Sequence, residues 1–298
     1  MKKTSSMLLC VFVLLFIFPI TAHADTGPKP SVVIDFKGLS GEIYYAALLS
    51  REESTGPYSA LNDSNMKYAR YQEGDEGYDI FLKFAEYKDT DGFYFLQFFQ
   101  DCSQTQKLSW TYHPPQEFKI LLYFPETNRF LVSDESYERY AFDSYFTANV
   151  SGQINSAAAP GEAKIITEKS YDYAGEMLSL IARILLTIAI ELGIALLFGF
   201  RGKKQFRFIV IVNVVTQIAL NLALNIINYH SGQMAFVIFY VLLEIAVFIV
   251  EAVLYTLYLK KFSEKTFPGW KPCVYALTAN AASFALGLGL AHWIPGIF

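Results

Sequence analysis

From residue 177 onward the chain is dominated by four apolar segments, 177–200, 208–229, 234–259 and 273–294. Each reaches the roughly 20 residues that a helix needs to cross the hydrocarbon of a bilayer. Lipid offers no hydrogen bonds to the backbone, so such segments are committed to helices before any other feature is considered. The composition points the same way: 53% hydrophobic and 16% aromatic residues exceed what a soluble chain of this size usually carries.

The loops between these segments set a direction. Arg201, Lys203, Lys204 and Arg207 fill the first loop and Lys260, Lys261, Lys265 and Lys271 the third, while the second loop and the tail after His292 hold no Lys or Arg. Basic loops stay cytoplasmic, which places residues 201–207 and 260–271 inside and both the N-terminal region and the C-terminus outside. The expected location is a plasma membrane, crossed four times.

The N-terminal end gives an independent signal for the same orientation. Lys2 and Lys3, an apolar run over residues 7–20, and Ala22-His23-Ala24 in the small-x-small pattern of a cleavage site predict a signal peptide over residues 1–24; the alternative is a retained first transmembrane helix, for which the run is short. Residues 25–150 hold seven short runs rich in aromatic and β-branched residues, SVVIDFKGL, EIYYAALLS, FYFLQFF, KLSWTY, FKILLYF, RFLVS and FDSYFTANV, and predict an extracytoplasmic β-rich, sandwich-like domain. Pro125-Glu126-Thr127-Asn128 marks a hairpin, and residues 75–87 space Tyr78, Phe81, Leu82 and Ala85 at helical intervals. Residues 151–173, with SAAAPGEAK, are expected as a linker to the transmembrane domain at 174–298.

This exported region contains a single cysteine, Cys102, so packing rather than an internal disulfide must stabilise it. Its net charge, from about 23 acidic and about 13 basic residues, repels phosphate backbones, and nucleic acid is not an expected partner. No zinc spacing, nucleophile elbow or phosphate loop occurs, and no cofactor is expected. Asp89-Thr90-Asp91-Gly92 begins like a calcium loop, but a helix-to-strand turn accounts for it. Tyr44-Tyr45, Phe93-Tyr94-Phe95 and Trp110-Tyr112 are either core or a platform for sugars or peptides.

The membrane segments carry polar stripes that hydrocarbon would not tolerate. Asn213, Gln217, Asn221, Asn225 and Asn228 fall in an arc of about 120° on the second segment. Tyr240, Glu244, Glu251, Tyr255 and Tyr258 share a face of the third, and Arg183, Thr187 and Glu191 a face of the first. Counted from the cytoplasmic ends, Glu191, Asn213, Gln217, Glu251 and Asn280 lie at about 10 to 16 Å depth. Polar groups at that depth turn inward and find partners, which predicts a four-helix bundle with an intramembrane polar site of Glu191, Asn213, Gln217, Glu244, Glu251 and Asn280.

Two readings of that layer stay open: hydrogen-bonded glue between helices, or a site at which a carboxyl lacking a cationic partner takes up a proton or binds a cation. Arg183, nearer the outer end, is expected to snorkel towards the headgroups.

The overall plan, a signal peptide, a β-rich exported domain beginning GPKPSVVIDF, and four segments carrying ELGIALLFGFR, EIAVFIVEAVLY and YALTANAASFALGLGL, resembles membrane proteins of Gram-positive bacteria with no assigned function. That resemblance covers most of the chain and implies architecture alone. EAVLYTLYL also resembles the glutamate helix of CAAX-type intramembrane proteases, but the second adjacent glutamate and a mid-membrane histidine are missing, and no residue role carries over.

The function these features imply is that of a polytopic membrane protein with an extracytoplasmic binding or sensing domain and a proton- or cation-responsive intramembrane site. The partners are the lipid bilayer and an unknown extracytoplasmic ligand or protein. A conducting form would need a homo-dimer, since four helices are few for a transporter. The alternatives are an intramembrane enzyme using the buried glutamates, and a structural or adhesion module on a multi-helix anchor.

Overall fold

The computed structural model describes residues 27–62, 69–151, 163–263 and 266–293. The expected signal peptide at 1–24 lies outside the described residues, as do positions 152–162 of the expected linker and residue 294 at the end of the last expected segment.

The N-terminal region is β-rich and is followed by helices. Strands β1 (Ser31–Lys37), β2 (Tyr45–Ser50), β3 (Ser54–Thr55), β4 (Tyr58–Ser59), β5 (Tyr94–Asp101), β6 (Lys107–Trp110), β7 (Glu117–Phe124), β8 (Arg129–Val132), β9 (Tyr137–Glu138), β10 (Asp143–Ser151) and β11 (Lys164–Lys169) make two main sheets and a small hairpin. One sheet runs β11-β10-β1-β6, with β1 and β10 parallel and the other pairs antiparallel. The second runs β5-β2-β7-β8 with β9 beside β7. The Pro125–Asn128 stretch is the four-residue turn joining β7 to β8.

Side-chain alternation explains the layering. Along β10, Ser144, Phe146, Ala148 and Val150 are buried while Tyr145 and Asn149 face out, as a strand with one wet face should. The apolar run of β7 is buried on both faces: Phe118, Ile120 and Leu122 enter the core between the sheets with Ile34, Trp110 and Phe146, while Leu121 and Tyr123 pack under helix α1 (Tyr78–Glu86) with Phe81 and Phe84. A third layer of one helix is therefore added to a two-sheet sandwich. Each fully buried large side chain in these layers stabilises the fold by about 1.5–3 kcal/mol.

Among the aromatic pairs singled out in the sequence, Tyr44 and Trp110 are fully buried and Phe95 nearly so, so these rings are core. The linker expectation is corrected at its C-terminal end. Residues 164–169 form β11, which pairs with β10 through Phe146↔Lys169 and Ser151↔Lys164, because the alternating KIIT stretch gives β10 an outer neighbour and buries Ile165.

Helix α2 (Tyr173–Leu197) follows β11 after three intervening residues. Asp172 caps it by accepting from the Gly175 N–H at 2.9 Å. It stops at Gly199, whose φ of 73° lets the amide of Phe200 reach back to the Ala195 carbonyl at 2.9 Å.

Helix α3 (Lys203–Tyr258) is interrupted at Gly232 (φ 78°, ψ 178°), and α4 (Lys271–Trp293) follows. The chain doubles back at Gly232: Asn213 meets Tyr255 and Thr216 meets Glu251, so the two arms of α3 run antiparallel. Among the described residues, two helices, α2 and α3, are long and apolar enough to cross a membrane, which is compatible with a membrane protein. Four expected segments thus correspond to α2, the two arms of α3, and α4. The large side chains on their outer surfaces, such as Leu185, Leu197, Ile211, Val215, Leu222 and Ile249, are exposed, an apolar surface far more extensive than a water-facing domain carries.

The two regions meet at Phe142, in the turn before β10. Its N–H donates to the Tyr229 carbonyl (2.8 Å), its carbonyl accepts from Ser31 N–H (3.0 Å), and its ring lies so close to Gly232 that a Cβ there would come within 2.5 Å of two ring carbons.

Candidate functional site

The polar residues of the helices divide into two connected groups. The first gathers Glu191 from α2, Asn213 from the first arm of α3, Glu251 from its second arm, and Asn280 from α4. Glu191, Asn213 and Glu251 are fully buried, and Asn280 is 6% exposed. Asn213 Nδ2 donates to Glu191 Oε2 (2.6 Å) and lies within hydrogen-bond reach of Tyr255 Oη (2.9 Å) and the Ile209 carbonyl (3.1 Å). Asn280 Nδ2 donates to Glu251 Oε2 (2.7 Å), and the Thr216 hydroxyl to Glu251 Oε1 (2.7 Å). The hydroxyl of Tyr275 reaches the main-chain oxygen of Glu191 at 3.3 Å. Every helical segment contributes a group.

Helical spacing places them there. Glu251 and Tyr255 are one turn apart on one face, as are Asn213 and Thr216, and each pair points at the opposing arm. Burial of the cluster against Ala195, Ile209, Ala276 and Ala279 keeps it away from the outer surface. Small alanines at these positions let the helices approach closely enough for direct side-chain bonds.

Two oxygens in this cluster stand out. Glu191 Oε1 and Asn213 Oδ1 are buried with no hydrogen-bond partner among the described residues, although a buried acceptor left unmatched costs about 1–3 kcal/mol. They belong to two side chains already joined by one hydrogen bond. No Lys or Arg forms an ion pair with Glu191, Glu244 or Glu251 among the described residues. Nor do the described residues gather three or more His, Cys, Asp or Glu side chains in a set able to hold a metal ion.

The second group lies towards the β-rich region. Gln217 is buried, but its contacts run to Asn221, whose Nδ2 donates to the Gln217 main-chain oxygen (2.8 Å) and approaches its side-chain oxygen (3.4 Å). Asn221 Oδ1 in turn accepts from Arg183 Nη1 (3.1 Å), and Arg183 Nη2 donates to Ser179 Oγ (2.9 Å). Arg183 therefore turns between the helices, over the Phe236 ring, instead of snorkelling, because Asn221 and Ser179 offer it oxygens there. Glu244 joins neither group: it is half-buried and hydrogen-bonded by Tyr240 one turn before it. Of the six residues read from the sequence, four are thus brought into one cluster, Gln217 leads away from it, and Glu244 stands apart.

Thr216 and Tyr275 were not singled out in the sequence. Thr216 reads as an ordinary helix residue because its hydroxyl can satisfy itself on the Val212 carbonyl, 3.0 Å away. Its place three residues after Asn213, on the same face, is the signal that could have found it.

In the β-rich region, Asp89 and Asp91 both meet the ammonium of Lys119, which is almost fully buried, Asp89 at 3.5 Å. Asp89 Oδ2 also accepts the amides of Asp91 (3.0 Å) and Phe93 (3.3 Å). This is a turn closed by a lysine, with the lysine where a calcium loop would hold its ion. Cys102 is buried, and burial beside Asp101 pushes its thiol up to about 12, which removes it as a nucleophile.

A scan against protein-family models finds no match to this chain, and neither do searches of curated proteins and of solved structures.

Proposed function

We propose that the chain is a multi-pass membrane protein in which α2, the two arms of α3 and α4 form a four-helix transmembrane bundle around a proton-responsive site, with the β-rich region outside the cell. The exposed apolar faces of all these segments support membrane residence, because the core helix of a soluble protein would be mostly buried. The placement of basic residues in the loops at 201–207 and 260–271 supports the orientation.

The observation that carries the proton reading is the pair of unmatched oxygens, Glu191 Oε1 and Asn213 Oδ1. Their side chains already share one hydrogen bond. A proton held between the two free oxygens would close a cyclic acid–amide pair and satisfy both. With no ion-paired Lys or Arg among the described residues to neutralise it, an ionised Glu191 would instead leave a buried charge facing Glu251. Proton release at this point would therefore loosen the contact that joins α2 to α3. The hydrogen-bonded file Gln217–Asn221–Arg183 lies beyond this layer, towards the β-rich region, and shares no side-chain hydrogen bond with it among the described residues.

The test is the thermal midpoint of the purified full chain as a function of pH and of added monovalent cation, for wild type, Glu191→Gln and Glu251→Gln. A glutamine at 191 carries an amide proton where the acid would carry its own, so its midpoint is expected to lose the pH response that wild type shows. An identical pH response in wild type and Glu191→Gln overturns the proton reading. A midpoint that follows cation concentration and ignores pH would move the assignment to a cation site.

A further inference from the structure

A cavity of about 470 Å³ lies where the turn before β10 and the link after β11 meet α2 and α3. Its wall on α3 is the outer half of the amide row, Asn221, Asn225 and Asn228, and Asn225 and Asn228 make no side-chain hydrogen bond among the described residues. Arg183 is the one cation among the lining residues. Asp143, Asp172 and Glu176 also line it, and each uses a single oxygen in a described contact: Asp143 with the Ser31 hydroxyl, Asp172 with the Gly175 amide, and Glu176 with the Tyr171 hydroxyl.

Three features constrain the ligand. First, a carboxamide both donates and accepts, which matches the paired N–H and C=O of a peptide group. Asn221 and Asn225 are four residues apart and rise by about 6 Å, and Asn225 and Asn228 three apart, by about 4.5 Å; these steps bracket single and double residue steps of an extended peptide, about 3.3 and 6.6 Å. Second, the charges are separated: Glu176 and Arg183 sit seven residues apart on α2, about 10 Å along its axis, which is the reach of three extended residues. Third, three carboxylates around the site disfavour a phosphate headgroup or any other anion without a compensating positive end.

We propose that this cavity binds a short zwitterionic peptide of about three residues, its carboxylate at Arg183, its ammonium end at Asp172 and Glu176, and its backbone along Asn225 and Asn228. The rings of Tyr145 and Tyr171 give its side chains apolar faces to rest on. This goes beyond the proton reading and shares with it only the outward orientation of the β-rich region. It gives the exported half of the molecule a ligand class, and it puts that ligand at the outer end of the Arg183–Asn221–Gln217 file.

Calorimetric titration of the detergent-solubilised full chain with lysyl-alanyl-alanine tests the assignment. Saturable binding is expected, weakened about tenfold or more when the peptide carboxylate is amidated and by a similar factor in Arg183→Gln, since each removes a charge-assisted hydrogen bond. Asn225→Ala should weaken binding severalfold with an unchanged melting profile, which keeps the test valid should Arg183→Gln misfold. Peptide affinity is read at one fixed pH and the proton reading from the pH response of the melting midpoint, so failure of the proton reading and failure of the peptide site are separable. Equal affinity for the acid and the amidated peptide overturns the proposal. So does the absence of tripeptide binding to a chain that melts cooperatively, or displacement of the peptide by spermidine or by anionic lipid vesicles.

Discussion

Replacing Gly232 with alanine tests how the β-rich region is fastened to the helices. The backbone there, φ 78° and ψ 178°, lies in a region essentially restricted to glycine and costs any other residue about 1–3 kcal/mol. The new Cβ would also stand 2.5 Å from Cδ1 and Cε1 of Phe142, against a comfortable carbon separation of about 3.5–4.0 Å. The ring must therefore retreat by about 1 Å, and the 2.8 Å hydrogen bond from Phe142 N–H to Tyr229 goes with it, a further ~1 kcal/mol. The expected total is about 3 kcal/mol, or about 6–12 °C in the melting midpoint. Phe142→Ala removes the ring and leaves the glycine strain, so in the double variant part of the cost, about 1–2 kcal/mol, should be recovered relative to the sum of the singles. Amide exchange at Phe142 should quicken in Gly232→Ala. Additive single-variant effects with unchanged exchange at Phe142 would refute the contact as the fastening point.

Two further predictions concern the β-rich region. Burial holds the Cys102 thiol protonated up to about 12, so at pH 8 to 9 iodoacetamide should modify the exposed Cys273 and leave Cys102 unmodified until the chain unfolds. An unfolded thiol ionises near its ordinary value of about 9, and a folded value above that means the stabilisation is complete below pH 9 and fades as pH rises towards 12. Denaturant melts across that range should show the loss, reduced in Cys102→Ala. Lys119→Ala strips Asp89 of its counter-charge in a site where its side chain is 1% exposed. About 3 kcal/mol of destabilisation is expected, at the low end for a broken buried pair because two backbone amides still hold Asp89. A chemical-denaturation midpoint unchanged from wild type would show that the pair contributes nothing.

Much of this architecture is legible in the sequence because strands and helices impose different periods on their apolar residues. Seven of the β-strands coincide with aromatic and β-branched runs, and α1 falls within the 75–87 stretch whose spacing was helical. The short strands β3, β4 and β9 were not visible, since two residues carry no period. β11 was hidden by its neighbours: SAAAPGEAK suggests a tether, and only pairing with β10 reveals KIITEK as an edge strand.

Within the helices, the four-residue spacing of amides located Asn213, and depth brought Glu191, Glu251 and Asn280 to its level. The same spacing could not tell that the stripe changes partner halfway. Asn213 belongs to the acidic cluster, whereas Gln217 and Asn221 belong to Arg183, because the partner on the facing helix decides and a single helix does not contain that information. Glu244 shares a face with Glu251 yet finds a tyrosine of its own helix first.

Only Ser170, Tyr171 and Asp172 separate the last strand from the first long helix, and none of the three is idle. Ser170 N–H is tied to the Tyr145 carbonyl, the Tyr171 hydroxyl to Glu176, and Asp172 to the opening turn of α2. A joint with so little slack behaves as a stiff lever. A tilt of the sheet that carries β11 is therefore expected to reach the start of α2 through these three residues, and a rotation of that helix to return the same way.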